Sequence, residues 1–454
     1  MSLIAPAGSS GNAGPRTFHV ARGWVGGTSA ANVVIEVERG IVSSVTTDRS
    51  APADVEVLEG FVVPGLANTH SHAFHRALRG RTESEPGDFW SWRDLMYELA
   101  GRLDPNTYRE LATAVFAEMA LAGITTVGEF HYLHHPTEGG TYGDRNEMGL
   151  ALVDSAARAG IRITLLDTCF LSAGFGEAPR GVQSRFSDGT AEAWVERVEA
   201  LEVGEHAKVG AAIHSVRAVD RDAAATVAVW AAAHDVPLHF HLSEQSAENE
   251  ACLETTGLTP TQFLESVGAL TSGSTAVHAT HLDDRDVTLL AGSGTRVCLC
   301  PTTERVLGDG IGPARRLVDA GVPLSLGSDS HAVIDLLEEA RLVDLQERLV
   351  TGVRGGYEAS DLLANATVNG ARSLGWPDVG IEVGGLADFV AVDVESMRTA
   401  GIDDPVAAVV YGATADDVTT VVVGGEVVVR DGIHIKIADP VQSLDRVIRT
   451  LLDA

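Results

Sequence analysis

Between residues 61 and 326 the sequence repeats one alternation, a short apolar run followed by a longer amphipathic segment. The apolar runs are 61–63, 125–130, 161–166, 209–213, 237–242, 274–278, 296–300 and 323–326, eight strand candidates in all. Helical spacing is read at 105–122, 145–159, 190–201, 221–234 and 336–350. Strands buried on both faces read as unbroken apolar runs, and parallel neighbours need a crossover helix between them. Eight such units predict a closed (β/α)8 TIM barrel in preference to an open doubly wound sheet. Neither GxGxxG nor GxxxxGK[ST] occurs, so no Gly-rich phosphate loop is expected. In a barrel, reactive side chains gather at the carboxyl ends of the strands.

The two ends of the chain read differently. Residues 17–20, 33–37 and 41–46 are short strand candidates, turned at Gly26-Gly27 and Arg39-Gly40. Residues 388–392, 418–422 and 427–430 repeat the pattern, with a turn at Gly424-Gly425. Together they predict a small β-sandwich domain built from both termini, closed by a helix over 441–452. The expected division is 1–63 for its first part, 64–376 for the barrel, and 377–454 for its second part with the helix.

Charge narrows the partners. Lys and Arg number 33 against 63 Asp and Glu, a formal net charge of −30. That field repels nucleic acid and anionic membrane surfaces, so neither is expected as a partner. An anionic substrate would need particular arginines to reverse the local potential. The four cysteines, Cys169, Cys252, Cys298 and Cys300, are too few for a disulfide framework in 454 residues and are expected as free thiols. There is no charged segment followed by an apolar signal core, and no apolar stretch of membrane-spanning length. A soluble cytoplasmic protein is the expectation, with a homodimer as the commonest symmetric assembly.

Polar residues stand where strands end. His70-Ser71-His72 follows the apolar run Phe61-Val62-Val63-Pro64-Gly65-Leu66, and a period of two puts both imidazoles on one side of an extended backbone. Alone, an HxH pair is a weak signal. His239-Phe240-His241-Leu242-Ser243-Glu244 closes a second run: His241 can face a metal, Glu244 can reach the same space, and His239 reads as a packed or hydrogen-bonded neighbour. Val277-His278-Ala279-Thr280-His281 closes a third. Asp329 closes the last, after Leu324-Ser325-Leu326-Gly327-Ser328, where an unpaired buried charge would be costly without a purpose.

An HxH pair, a His with Glu three residues on, a later His and a late-strand Asp resemble the amidohydrolase superfamily. The resemblance implies one divalent metal held by His70, His72, His241 and Asp329. Three nitrogens and a carboxylate with an open position suit zinc, with iron the alternative. It also implies Glu244, His278 and Asp329 as catalytic residues: a metal lowers the pKa of water, His278 and Asp329 orient it, and Glu244 shuttles protons to the substrate nitrogen. His278 is chosen over His281 by its spacing to Asp329, and His281 is kept as a pocket neighbour.

A closer resemblance, to the formimidoylglutamate deiminases, rests on longer motifs. These are His70-Ser71-His72-Ala73-Phe74, Phe89-Trp90-Ser91-Trp92-Arg93-Asp94-Leu95-Met96-Tyr97, Glu129-Phe130-His131-Tyr132-Leu133-His134-His135, Ile213-His214-Ser215-Val216-Arg217-Ala218 and Gly308-Asp309-Gly310. It implies a small dicarboxylate substrate, N-formimidoyl-L-glutamate, hydrolysed to N-formyl-L-glutamate and ammonia in histidine breakdown. Arg93 and Arg217 are the expected carboxylate partners, since guanidinium pairs bidentately with carboxylate. His75, Tyr132, His214 and His281 complete the expected substrate contacts. The chain departs from the family pattern at His75, where Gln is usual, at Ser243, where Ala is common, and at Arg305-Val306. Two other readings differ in what they require. A deaminase of guanine, cytosine or an adenosine-type base needs contacts to a planar ring rather than two arginines. A non-catalytic barrel scaffold would have lost ligand or shuttle positions, and all are present here.

Overall fold

The computed structural model of the chain describes residues 15–53, 55–82, 89–376 and 379–453. Residues 1–14 and residue 377, at which the second part of the small domain is expected to begin, lie outside the described residues. The barrel strands are β5 (Leu66–Ser71), β6 (Ile124–His131), β7 (Arg162–Cys169), β8 (Ala207–Ile213), β9 (Leu238–Leu242), β10 (Ser274–His278), β11 (Arg296–Leu299) and β12 (Leu324–Leu326). They pair in parallel in chain order, so the expected barrel is present. Just beyond β12 the ring closes onto β5: the Asp329 N–H donates to the His70 carbonyl (3.0 Å), and the His72 N–H donates to the Asp329 carbonyl (3.2 Å).

Eight barrel strands were expected and eight are found, but the first is not 61–63. Those residues belong to β4 (Glu56–Pro64), in a second sheet completed by β1 (Arg16–Val25), β2 (Thr28–Glu38), β3 (Ile41–Thr46), β13 (Phe389–Val392), β14 (Val418–Val423), β15 (Glu426–Arg430) and β16 (Ile433–His434). Its strand order is β16-β15-β14-β13-β4-β1-β2-β3, four strands from each end of the chain in one continuous sheet. The chain passes between the sheets at Gly65, where an added Cβ would lie 2.1 Å from Thr125 Oγ1, so only glycine fits. Alternation along β4 gives each face its own core: Val62 packs with Phe18, Ile35 and Phe389, whereas Phe61 and Val63 join the barrel core.

Helices fall close to the expected places. Pro105–Leu121 starts at Asp104, whose carboxylate accepts the N–H groups of Asn106 and Thr107, with Pro105 at the first helical position. Arg221–His234 is as read, and Leu336–Thr351 runs one residue beyond the reading. The closing helix, Pro440–Asp453, packs on Pro105–Leu121.

One ion pair ties the sheets together. Arg162, at the start of β7, reaches both oxygens of the fully buried Asp388 (2.8 and 3.1 Å), which also accepts the Gly424 N–H. Removing one partner of such a pair leaves a stranded charge. Asp388→Ala is therefore expected to cost about 3–5 kcal/mol, measured as a fall in unfolding free energy in urea.

Candidate active site

Strand ends deliver the polar residues to one place. Backbone φ is positive at Ser243 (50°), His278 (68°), Ala279 (51°), Asp329 (42°) and His331 (57°), all at the carboxyl ends of β9, β10 and β12. Non-glycine residues take this conformation at a cost, and here it turns the chain around Glu244, His278 and Asp329, which line the mouth of the barrel.

At the bottom of the mouth four side chains converge. His70 Nε2 lies 3.1 Å from His241 Nε2 and 3.4 Å from Asp329 Oδ1, and His72 Nε2 lies 3.6 Å from the same oxygen. His72 Nδ1 donates to the Phe130 carbonyl (3.0 Å) and His241 Nδ1 to the His214 carbonyl (2.8 Å). Each neutral ring therefore presents an Nε2 lone pair inward. Burial, reinforced by the neighbouring imidazoles, holds the pKa of all three histidines well below the ordinary value. Protons are thus unavailable to separate these acceptors. Lone pairs facing each other and a carboxylate form a donor set suited to a cation, and three nitrogens with one oxygen match a divalent metal of the zinc type.

His278 and Glu244 stand beside this cluster. His278 Nε2 is 3.7 Å from Asp329 Oδ2 and 3.8 Å from Glu244 Oε1, and its Nδ1 is 3.5 Å from Glu304 Oε1. Burial opposes a charge on His278, but the surrounding carboxylates outweigh it and keep the pKa well above the ordinary value. Burial also raises Glu244 to about 7, although His278 pulls the other way. A carboxyl near neutrality can both give and take a proton.

A narrow cavity opens above this cluster. His72, His75, Arg93, Tyr132, His214, Arg217, His241, Glu244, His278 and Asp329 all line it. His70 sits fully enclosed beneath them. His75 Nε2 meets the Tyr132 hydroxyl at 3.1 Å, so these two polar residues form a pair on one wall. His281 does not line the cavity. The positive φ at His278 and Ala279 ends the two-residue alternation, and His281 is carried away with its N–H on the Ser243 carbonyl (3.0 Å). His239 is a hydrogen-bonded neighbour, as read, donating to the Ser373 carbonyl (2.8 Å).

Several contributors were given no role from the sequence, although Trp92, Tyr97, Ser215 and Glu129 stand in its motifs. Trp92, Tyr97 and Phe170 supply aromatic wall, and Ser172 and Ser215 supply hydroxyls. Glu304 backs His278 and also accepts the Cys300 N–H (2.9 Å). Glu129 accepts from Ser71 Oγ (2.5 Å) and the Ala73 N–H (2.7 Å), pinning the chain on both sides of His72, and burial raises its pKa to about 8. Both acids lie far along the chain from the histidine they serve, Glu304 from His278 and Glu129 from His72. The available signal was a buried acid adjoining a barrel strand, which burial alone would disfavour.

The histidines that follow β6 have a different use. His134 Nε2 donates to the Thr168 carbonyl (2.9 Å), His135 meets Asp188 (2.9 Å), and Arg197 joins Asp188 to Asp167. This network fixes the segment that carries Tyr132. Burial, with help from Arg197, pushes the His134 pKa down to about 4 from 6.5. Between those values the unfolded chain binds a proton that the folded one refuses, so stability falls as pH drops from 6.5 toward 4. The slope from this residue is about 1.4 kcal/mol per pH unit. His134→Gln keeps a donor for Thr168, and urea unfolding between about pH 7 and 4.5 is expected to show a correspondingly shallower loss.

Residues 61–428 match the Amidohydrolase family, and the chain belongs to it. Formimidoylglutamate deiminase of Pseudomonas aeruginosa is 37% identical over 450 residues, covering 95% of this chain and 97% of its own. The 8-oxoguanine deaminase of the same species is 32% identical, with 82% of each chain covered. A crystal structure of an amidohydrolase from Brucella melitensis superposes with a TM-score of 0.88 at 31% identity, over 96% of this chain and 100% of that one.

Proposed function

We propose that the chain hydrolyses N-formimidoyl-L-glutamate to N-formyl-L-glutamate and ammonia, using one divalent metal held by His70, His72, His241 and Asp329. The observation that carries this reading is the lining of a single cavity by Arg93 and Arg217 directly above the histidine–carboxylate cluster. Two fixed cations in a chain of net charge −30 suit a substrate with two carboxylates, and the 37% identical relative supports the same choice. A bound metal supplies a water of lowered pKa and polarises the C=N carbon.

The remaining work belongs to the protein. Arg93 and Arg217 bind the carboxylates, and Tyr132, His75 and His214 contact the backbone of the substrate. His278 Nε2–H orients the attacking water, and Asp329 Oδ2 takes its proton. Glu244 protonates the amidine nitrogen and then the departing amine, with His278 standing between it and Asp329 as a route for the proton. Zinc as the metal, a place in histidine breakdown and a cytoplasmic homodimer belong to the same reading. No described helix is long and apolar enough to cross a membrane, and the four cysteines are free and buried.

Metal analysis of purified protein, followed by ammonia assays on N-formimidoyl-L-glutamate and on guanine, cytosine and adenosine, tests the proposal. Ammonia from the formimidoyl compound supports it. Ammonia from a base alone would transfer the aromatic wall of Trp92, Tyr97 and Phe170 to ring recognition and overturn it.

A further inference from the structure

Arg217 is gripped from behind. Its Nε donates to Glu248 Oε2 at 2.7 Å, and Glu248 is buried in the first turn of the helix Ser246–Thr256. Burial disfavours the charge on Arg217, and Glu248 more than restores it, leaving the pKa above the ordinary value. The other oxygen, Glu248 Oε1, accepts the Ser243 N–H at 3.2 Å. Ser243 is the left-handed residue that joins β9, with its His241, to Glu244. One carboxylate therefore touches both a cavity guanidinium and the peptide that aims Glu244.

We propose that Glu248 is a positioning residue, coupling carboxylate recognition at Arg217 to the placement of Glu244. The proposal rests on the function given above. With both oxygens engaged, Glu248 cannot follow Arg217 without loosening Ser243. Nor can Ser243 relax from its costly conformation without releasing the arginine. A substrate carboxylate on the outer nitrogens of Arg217 is thereby registered against the acid that serves the other end of the molecule. If Glu248 were only a counter-ion for Arg217, its contact with Ser243 would carry no kinetic consequence.

The test compares Glu248→Ala and Glu248→Gln on N-formimidoyl-L-glutamate and on N-propylformamidine, which has no carboxylate. Metal content and hydrogen exchange at the Ser243 amide are measured on the same preparations. Glu248→Ala is expected to raise KM for the dicarboxylate about 30-fold and to lower kcat on both substrates at least about tenfold. The Gln oxygen still accepts from Ser243 but carries no charge. Glu248→Gln should therefore restore kcat to within about threefold while KM stays high. Exchange at Ser243 should quicken in the Ala variant and stay slow in the Gln variant. Unchanged kcat on N-propylformamidine in Glu248→Ala, unchanged exchange at Ser243, or equal kcat losses in both variants would each overturn the coupling. Should the Ala variant fail to fold, Glu248→Met, which fills the space without an acceptor for the Ser243 N–H, takes its place under the same criteria. An unsubstituted enzyme that hydrolyses only N-propylformamidine would sink the substrate reading, and the two variants would still decide Glu248 on that compound. The exchange measurement decides it without any turnover.

Discussion

Glu244→Gln is expected to retain the metal and to lose about a thousandfold in kcat, the scale of a positioned proton shuttle. The substitution preserves shape and removes only the titrating proton. In the native site burial lifts the Glu244 carboxyl to about 7 while His278, 3.8 Å away, draws it down, so both protonation states are accessible near neutrality. An amide offers neither state. The four proposed metal ligands do not include Glu244, so metal content should match the unsubstituted protein. Stopped-time ammonia assays and metal analysis on one preparation make the comparison. Full turnover by the variant would remove Glu244 from the mechanism.

Stripping the metal should have the other large effect. Dialysis against a chelator is expected to abolish turnover and lower the thermal midpoint, and added Zn2+ should restore both. A ligand bound only by the folded state contributes about 4 kcal/mol at a thousand times its Kd. For a chain of this size that corresponds to a shift on the order of 5 °C. The loss follows from the cluster itself: His70 Nε2, His241 Nε2 and the Asp329 carboxylate converge as acceptors whose protonation burial suppresses, and a cation is what satisfies them together. Asp329→Ala should keep the lower midpoint even with Zn2+ present. A chelated protein with undiminished activity would contradict the metal chemistry altogether.

Much of this architecture is legible in the sequence because parallel strands buried on both faces leave apolar runs, and amphipathic helices leave a longer period between them. The first barrel strand escapes that logic. All of Leu66–Ser71 is buried, yet Asn68, Thr69, His70 and Ser71 are polar, with Asn68 hydrogen-bonded to Ser328. A hydrophobic scan therefore stops at Val63 and assigns the preceding apolar run to the wrong sheet. The proposed metal ligands were readable because each lies in or just beyond a barrel strand, where polar side chains interrupt the apolar pattern. His281 was misplaced because alternation ends at the left-handed pair His278-Ala279, which no periodicity announces. Glu248 and Glu304 were not readable for a different reason. Each acts on a residue brought near only by folding, Glu248 on Arg217 and Glu304 on His278.

The joint between β12 and β5 has a consequence for how such a protein can diversify. The peptides that fasten the ring there are those of His70, His72 and Asp329, the same residues whose side chains form the donor cluster. Widening the mouth on that side would pull the donors apart, so this arc of the rim is frozen by its own chemistry. New substrates must instead be accommodated by the wall of Trp92, Tyr97, Phe170 and Ser172, which come from connecting segments that hold no part of the cluster.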